Sequence, residues 1–215
     1  MIYSLAPMEG ITGHAFRLVH AECFGALDRY YTPFLPPPRV GSPFGGKNLK
    51  EVDPANNQGL NVVPQLLTKN ADEFVWAARE LAELGYREVN LNLGCPSGTV
   101  VSKGKGAGFL RNLDELEVFL RDVCERSPIP VSVKTRLGLE SDTEYEHIFE
   151  LYCSLPLAEL IVHRVCRRIA TRANRAGSRM ARRSPVPRSQ WPTTATSSAW
   201  RTWTACLKRT RGPVT

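Results

Sequence analysis

"VNLNLGCPSG", residues 89–98, is the stretch whose reading decides the fold. With Glu88 in front it forms a strand-like run, "EVNLNLG" (88–94), bounded by a turn signal. Cys95 stands between Gly94 and Pro96, so the chain turns out of the strand there and presents a thiol on a loop. Outward from this point, "IYSLAPM" (2–8), "LDRYYTPF" (27–34), "VVPQLL" (62–67), "PVSVKTRLG" (130–138) and "ELIVH" (159–163) have the same strand-like length and β-branched content. Between them, "HAFRLVHAECFG" (14–25), "NADEFVWAARELAELG" (70–85), "NLDELEVFLRDVCERS" (112–127) and "DTEYEHIFELYCSL" (142–155) carry apolar residues at helical spacing. Asn112 stands where an N-cap would, acidic residues fill the next turns, and Pro128 stops the helix. Strand–helix alternation at this pitch predicts βαβ units and a parallel sheet, and six near-continuous apolar strands suit an α/β barrel better than a sandwich. The long connection 36–60, rich in Pro, Gly and Asn, interrupts the alternation; long loops at strand C-termini are where such folds keep their function.

The chain has 215 residues and a formal charge of +7, but the charge is unevenly spread. Residues 164–215 hold 12 Arg, 1 Lys and no Asp or Glu, which leaves 15 basic against 21 acidic residues in 1–163. The body is acidic, so the total charge says nothing about a nucleic-acid partner unless the tail is genuine. The 6 cysteines form no CxxC pair and no zinc spacing. No apolar run approaches a membrane span and the N-terminus has no leader pattern. The expectation is a cytoplasmic protein with free thiols, no metal and no membrane partner.

Polar residues recur at the strand C-termini: Gln65, Asn92 and Cys95, Lys134 and Arg136, and His163. One such residue is ordinarily satisfied by a neighbouring loop. Several in succession point to one shared pocket, because a βα barrel gathers these ends at one mouth. Cys23, Cys124 and Cys153 read as small helix hydrophobes, whereas Cys95 is placed to act as a general acid or a nucleophile. "SKGKGAG" (102–108) reads as a flexible, positive loop suited to phosphate, or as a solvated turn.

The segments "LAPMEGITGHAFR", "VPQLL", "VNLNLGCPSGTVVSKGKGAGFL", "VSVKTRLG" and "LIVH", in order over residues 2–163, resemble the tRNA-dihydrouridine synthases. The resemblance implies a TIM (β/α)8 barrel of the α/β class that binds FMN, takes electrons from NADPH or NADH, and reduces the C5–C6 double bond of uridines in tRNA. It implies that Pro7, Met8, Glu9, Gln65, Lys134 and His163 hold the cofactor. Cys95 is implied as the acid that protonates C5, with Asn92 and Arg136 on the substrate, in a cytoplasmic monomer. Another FMN barrel oxidoreductase acting on a small pyrimidine, or a non-enzymatic RNA-binding remnant, stays open beside it.

After His163 the family's His-Pro-Arg, Tyr-Lys-Gly and Asn-Gly-Asp motifs are missing. Shifting the reading frame by one base after His163 restores a Tyr-Lys-Gly within 164–175 and an Asn-Gly-Asp within 189–206, both in the same frame. The expected organisation is therefore 1–163 as the N-terminal part of the barrel, about six β/α units, and 164–215 as a frameshifted, disordered basic tail. Without strands seven and eight an open sheet exposes an edge, and the 215-residue product is expected to be unstable, to hold no FMN and to be inactive by itself.

Overall fold

The computed structural model describes residues 2–166. Seven strands run in order: β1 (Ser4–Leu5), β2 (Arg29–Tyr31), β3 (Val62–Val63), β4 (Gln65–Leu66), β5 (Val89–Leu93), β6 (Val131–Gly138) and β7 (Leu160–Cys166). Helices α1 (His14–Phe24), α2 (Gly46–Val52), α3 (Ala71–Glu83), α4 (Gly98–Val101), α5 (Leu113–Arg126) and α6 (Tyr145–Cys153) lie between them. Every pairing is parallel, β1-β2-β3 in one ladder and β4-β5-β6-β7 in the next. Strand order follows chain order without reversal. That is the winding of a barrel; a doubly wound sheet needs a switch point.

The expected strand 62–67 is split by Pro64, which has no N–H to give to a ladder. Its carbonyl still accepts from the Asn90 N–H at 2.8 Å, so the chain passes from one ladder to the other without losing contact with β5. Leu35 bridges the same junction: its N–H donates to the Gln65 carbonyl (2.8 Å), and its carbonyl accepts from the Leu67 N–H (2.9 Å).

The period of two along β5 and β6 separates two environments. Val89, Leu91, Leu93, Val131 and Val133 face the helices and belong to one buried core with Phe74, Leu81, Leu116, Leu120 and Ile148. Phe74 and Phe119 meet edge to face across α3 and α5, centroids 6.1 Å apart. An asparagine caps each helix, at Asn112 as its sequence predicts: Asn70 accepts from the Glu73 N–H and Asn112 from the Glu115 N–H, each at 3.2 Å. The opposite strand face carries Asn90, Asn92, Ser132, Lys134 and Arg136. Near the N-terminal strand ends, Arg29 pairs with Glu88 (3.2 Å) and Glu159 (2.8 Å), and the Tyr31 hydroxyl donates to Glu159 at 2.8 Å. This cluster ties β2 to residues immediately before β5 and β7.

The connection 36–60 is more ordered than its composition suggests. It contains α2 and a 3-10 turn at Pro54–Asn57, with Phe44 and Val52 in the core. A seven-residue helix has little stability of its own; burial of Val52 anchors it, and Glu51 is paired with Arg17 at 2.9 Å. Cys23, Cys95 and Cys124 are free thiols, but Cys153 is disulfide-bonded, which corrects the expectation of free thiols throughout. The frameshift and the basic tail concern residues that lie, from 167 on, outside those described.

Leu91→Ala is expected to lower the unfolding free energy by about 2–5 kcal/mol, the range for emptying a core leucine site. Val118→Ala, on the solvent face of α5, is expected to stay within about 0.5 kcal/mol. Urea denaturation of both variants checks the assignment of faces.

Candidate active site

A cavity of ≈ 560 Å³ lies at the C-terminal ends of the strands. Its lining includes Pro7, Met8, Glu9, Gln65, Asn92, Cys95, Lys134, Arg136 and His163, so all the residues singled out in the sequence meet in one place. Ala6, Phe34, Gly94, Pro96, Ile161 and Val162 complete it. The volume is in the range of small-molecule and cofactor sites.

The wall at β4–β6 is built by buried amides. Asn90 donates through Nδ2 to Ser132 Oγ (2.8 Å), and its Oδ1 accepts from Gln65 Nε2 (2.8 Å). Gln65 Oε1 in turn accepts from Asn92 Nδ2 at 2.7 Å. Gln65, Asn90 and Ser132 are fully buried. Asn92 then turns the ladder into a loop support: its Oδ1 accepts from the N–H groups of Gly94 (3.0 Å) and Cys95 (2.9 Å). Arg136 braces the same turn by donating from Nε to the Gly94 carbonyl.

Cys95 is held from its other side by the segment after α4. The Ala107 N–H donates to the Cys95 carbonyl at 3.0 Å. Two glycines permit this approach. A Cβ on Gly106, which has φ +56°, would stand 2.9 Å from the Cys95 carbonyl oxygen, and one on Gly108 would stand 2.7 Å from that of Val101. Residues 106–110 are buried. The expectation of a flexible "SKGKGAG" loop is thereby corrected: only its lysine end faces solvent, and its glycine end is packed under the thiol.

The electrostatics of the cavity are cationic. Lys134, half-buried, makes no ion pair with a carboxylate among the described residues, and burial, then the nearby Arg136 charge, lowers its pKa. His163 is lowered as well, by burial first and then by Lys134 and Arg136. Arg136 and His163 are paired in register across β6 and β7. Glu9 also lines the cavity, and its carboxylate points to Lys47 at 3.8 Å. No cluster of metal-binding side chains occurs among the described residues, and no described helix is long and apolar enough to cross a membrane.

A sequence model of the family described as "Dihydrouridine synthase (Dus)" matches residues 4–193. The chain belongs to the dihydrouridine synthase family. Similar curated proteins include the "Probable tRNA-dihydrouridine synthase" of Staphylococcus aureus (strain COL), 29% identical over 165 residues, covering 75% of this chain and 48% of that protein. The protein of the same description from Staphylococcus epidermidis (strain ATCC 12228 / FDA PCI 1200) is 29% identical, with 75% and 49% covered. The "Probable tRNA-dihydrouridine synthase 2" of Bacillus subtilis (strain 168) is 28% identical over 161 residues, again with 75% and 49% covered. The chain thus spans about half the length of the curated relatives it matches. The fold of the dihydrouridine synthase family is the TIM barrel, and the sequential parallel winding of β1 to β7 belongs to that architecture.

Asn90 and Ser132 were not among the residues expected at the site. The signal was present in "VNLNL": Asn90 and Asn92 are two apart on a strand and so share a face. Their partners, Gln65 and Ser132, became visible only through the strand register, which pairs Asn90 with both.

Gly108→Ala is expected to cost about 1–3 kcal/mol, because the added methyl meets backbone and not a movable side chain; thermal unfolding measures it. Lys134→Met is expected to move the His163 titration upward, since one of the charges opposing the imidazolium is removed. NMR of the imidazole protons reads this directly. The folded state also binds fewer protons at Lys134 than the unfolded chain, whose lysine titrates near 10.5, so the lysine's contribution to stability rises with pH up to that value. At neutral pH the ligand-free Lys134→Met protein is therefore expected to unfold at a higher temperature than the wild type.

Proposed function

We propose that the cavity binds FMN and that the chain's site serves the reduction of uridine in tRNA to 5,6-dihydrouridine, with NADPH or NADH as the reductant. One observation carries this reading: a braced thiol, Cys95, and a desolvated ammonium, Lys134, that has no carboxylate partner among the described residues, line the same cavity.

The residues present fit the cofactor. Lys134 has no carboxylate partner among the described residues and suits an electron-rich carbonyl edge that gains negative charge on reduction. Gln65 has one Nε2 hydrogen committed to Asn90, which leaves a second N–H for a ligand. Pro7, Met8 and Glu9 would form the wall on the β1 side, and His163 would add a donor beside Lys134. When bound and reduced, FMN supplies the hydride that adds to uracil C6.

The chain's own residues supply the rest. Cys95 gives its proton to C5, so the C5=C6 π bond is replaced by two C–H bonds, and the thiolate left behind takes a proton from water. Asn92 and Arg136 act on the substrate side, and their hydrogen bonds to the Gly94–Cys95 turn support a role in aiming the thiol. A uridine within a folded RNA must leave its stack to enter such a cavity. Exposed Lys103 and half-exposed Lys105, beside the packed turn, support a polyanionic substrate whose phosphates they would hold. The same reading takes the protein as a cytoplasmic monomer.

Cys95→Ala is expected to leave FMN binding unchanged and to reduce dihydrouridine formation by about 100-fold or more, the scale of a lost general acid. Flavin fluorescence and nucleoside analysis of the tRNA measure the two effects separately. Wild-type turnover in the variant removes Cys95 from the mechanism. The flavin stoichiometry of the purified chain decides between this proposal and the expectation of a product that holds none.

A further inference from the structure

The first part of the resemblance, "LAPMEGITGHAFR", contains residues that the proposed chemistry does not use: Thr12, Gly13 and Arg17. Arg17 lies on α1 and is fully buried. Its Nη1 donates to the Thr12 carbonyl (3.0 Å) and to Glu51 Oε2 (2.9 Å). Its Nη2 donates to the Glu51 carbonyl (3.0 Å) and to Asn57 Oδ1 (2.8 Å). Glu51, 6% exposed, also accepts from the His14 N–H at 3.0 Å. Gly13 sits in the same packing: a Cβ there would stand 3.0 Å from Glu51 Oε1, so that the carboxylate would have to shift.

An arginine buried in this way is costly. Its Nε has no partner among the described residues, and apolar side chains commonly stabilise such a position as well or better. What the arginine achieves is reach: one guanidinium joins the loop after β1 to α2 and the 3-10 turn behind it. Thr12 passes that constraint on. Its hydroxyl accepts from the Met8 N–H (2.8 Å) and donates to the Met8 carbonyl (3.2 Å). The N–H groups of Ile11 and Thr12 close on the Met8 carbonyl as well, at 3.1 and 3.0 Å. Met8, with its neighbours Pro7 and Glu9, lines the cavity.

We propose that Arg17 and Thr12 are positioning residues that hold the Met8 turn as a preformed wall of the cavity, Arg17 acting through Thr12. Neither lines the cavity, and the effect on cofactor binding rests on the FMN reading above. Preforming a wall removes an ordering cost from binding, so loosening it weakens the ligand without emptying the core.

Thr12→Val tests this with little change of shape: it removes both hydroxyl bonds to Met8 and leaves the Thr12 carbonyl available to Arg17. The expected result is an FMN dissociation constant raised about tenfold, a fall in the thermal midpoint no larger than the loss of one hydrogen-bonded group gives, and recovery of affinity in Thr12→Ser. A fallen midpoint with unchanged affinity marks a merely structural role and overturns the proposal. Arg17→Lys retains the charge but cannot reach Thr12, Glu51 and Asn57 together; its loss and that of Thr12→Val are expected not to add in the double variant. Additive losses exclude action through Thr12. If the wild-type chain takes up no FMN, the cofactor reading fails, and positioning is then read from amide hydrogen exchange of the unliganded chain. Thr12→Val is expected to speed exchange at Ile11 and Thr12 and not in α5; unchanged exchange at Ile11 and Thr12 overturns the proposal.

Discussion

The buried amide ladder from Ser132 through Asn90 and Gln65 to Asn92 is the constraint on which the site depends. A neutral amide removed from water without a partner is costly, and these amides are removed from water together. They find partners at one strand register: Gln65 beside Asn90, and Asn90 beside Ser132. A slip of one residue between β4 and β5, or between β5 and β6, would point the amides at the helices and the leucines at the cavity. The ladder therefore makes register and site geometry the same requirement. At its upper end, the side-chain Oδ1 of Asn92 orients the turn that carries Cys95 by accepting from the Gly94 and Cys95 N–H groups.

The two ends of the strands handle charge in opposite ways. Near the N-terminal ends, the Arg29 guanidinium has two carboxylates, Glu88 and Glu159, and the cluster is closed by the Tyr31 hydroxyl. Near the C-terminal ends, Lys134, Arg136 and His163 share a cavity, and the carboxylate in its lining, Glu9, faces Lys47. The first arrangement satisfies itself and serves the fold. The second leaves Lys134 desolvated beside another cation, a cost that the electron-rich ligand proposed above would offset.

Much of this was legible in the amino-acid order. The six expected strands, the four amphipathic helices and the N-cap of α5 are found at the expected places, because period, caps and Pro128 act over one or two turns. The residues expected at the site meet in one cavity because parallel strands bring their C-terminal ends together. What was not legible depended on distant contacts. The helix α2 in the Pro- and Gly-rich connection is tied down by distant contacts: Val52 lies in the core, and Arg17, 34 residues away, holds Glu51. The buried turn at 106–110 runs against its composition: glycines signal freedom, whereas here they make room for Cys95 and Val101.

By itself, then, the sequence determined the alternation of strands and helices, the barrel class, and the identity of the polar strand ends, all carried by local periodicity and short motifs. Tertiary structure alone decided which of those polar groups are spent on each other and which remain for a ligand. Asn92 and Gln65 look alike in the sequence to Lys134: polar residues at strand ends. Register commits the carbonyl oxygen and one N–H of each amide to neighbours, leaves each a second N–H, and leaves the ammonium without a carboxylate among the described residues, because hydrogen-bond partners in a parallel sheet are chosen by neighbouring strands some 25 to 42 residues apart.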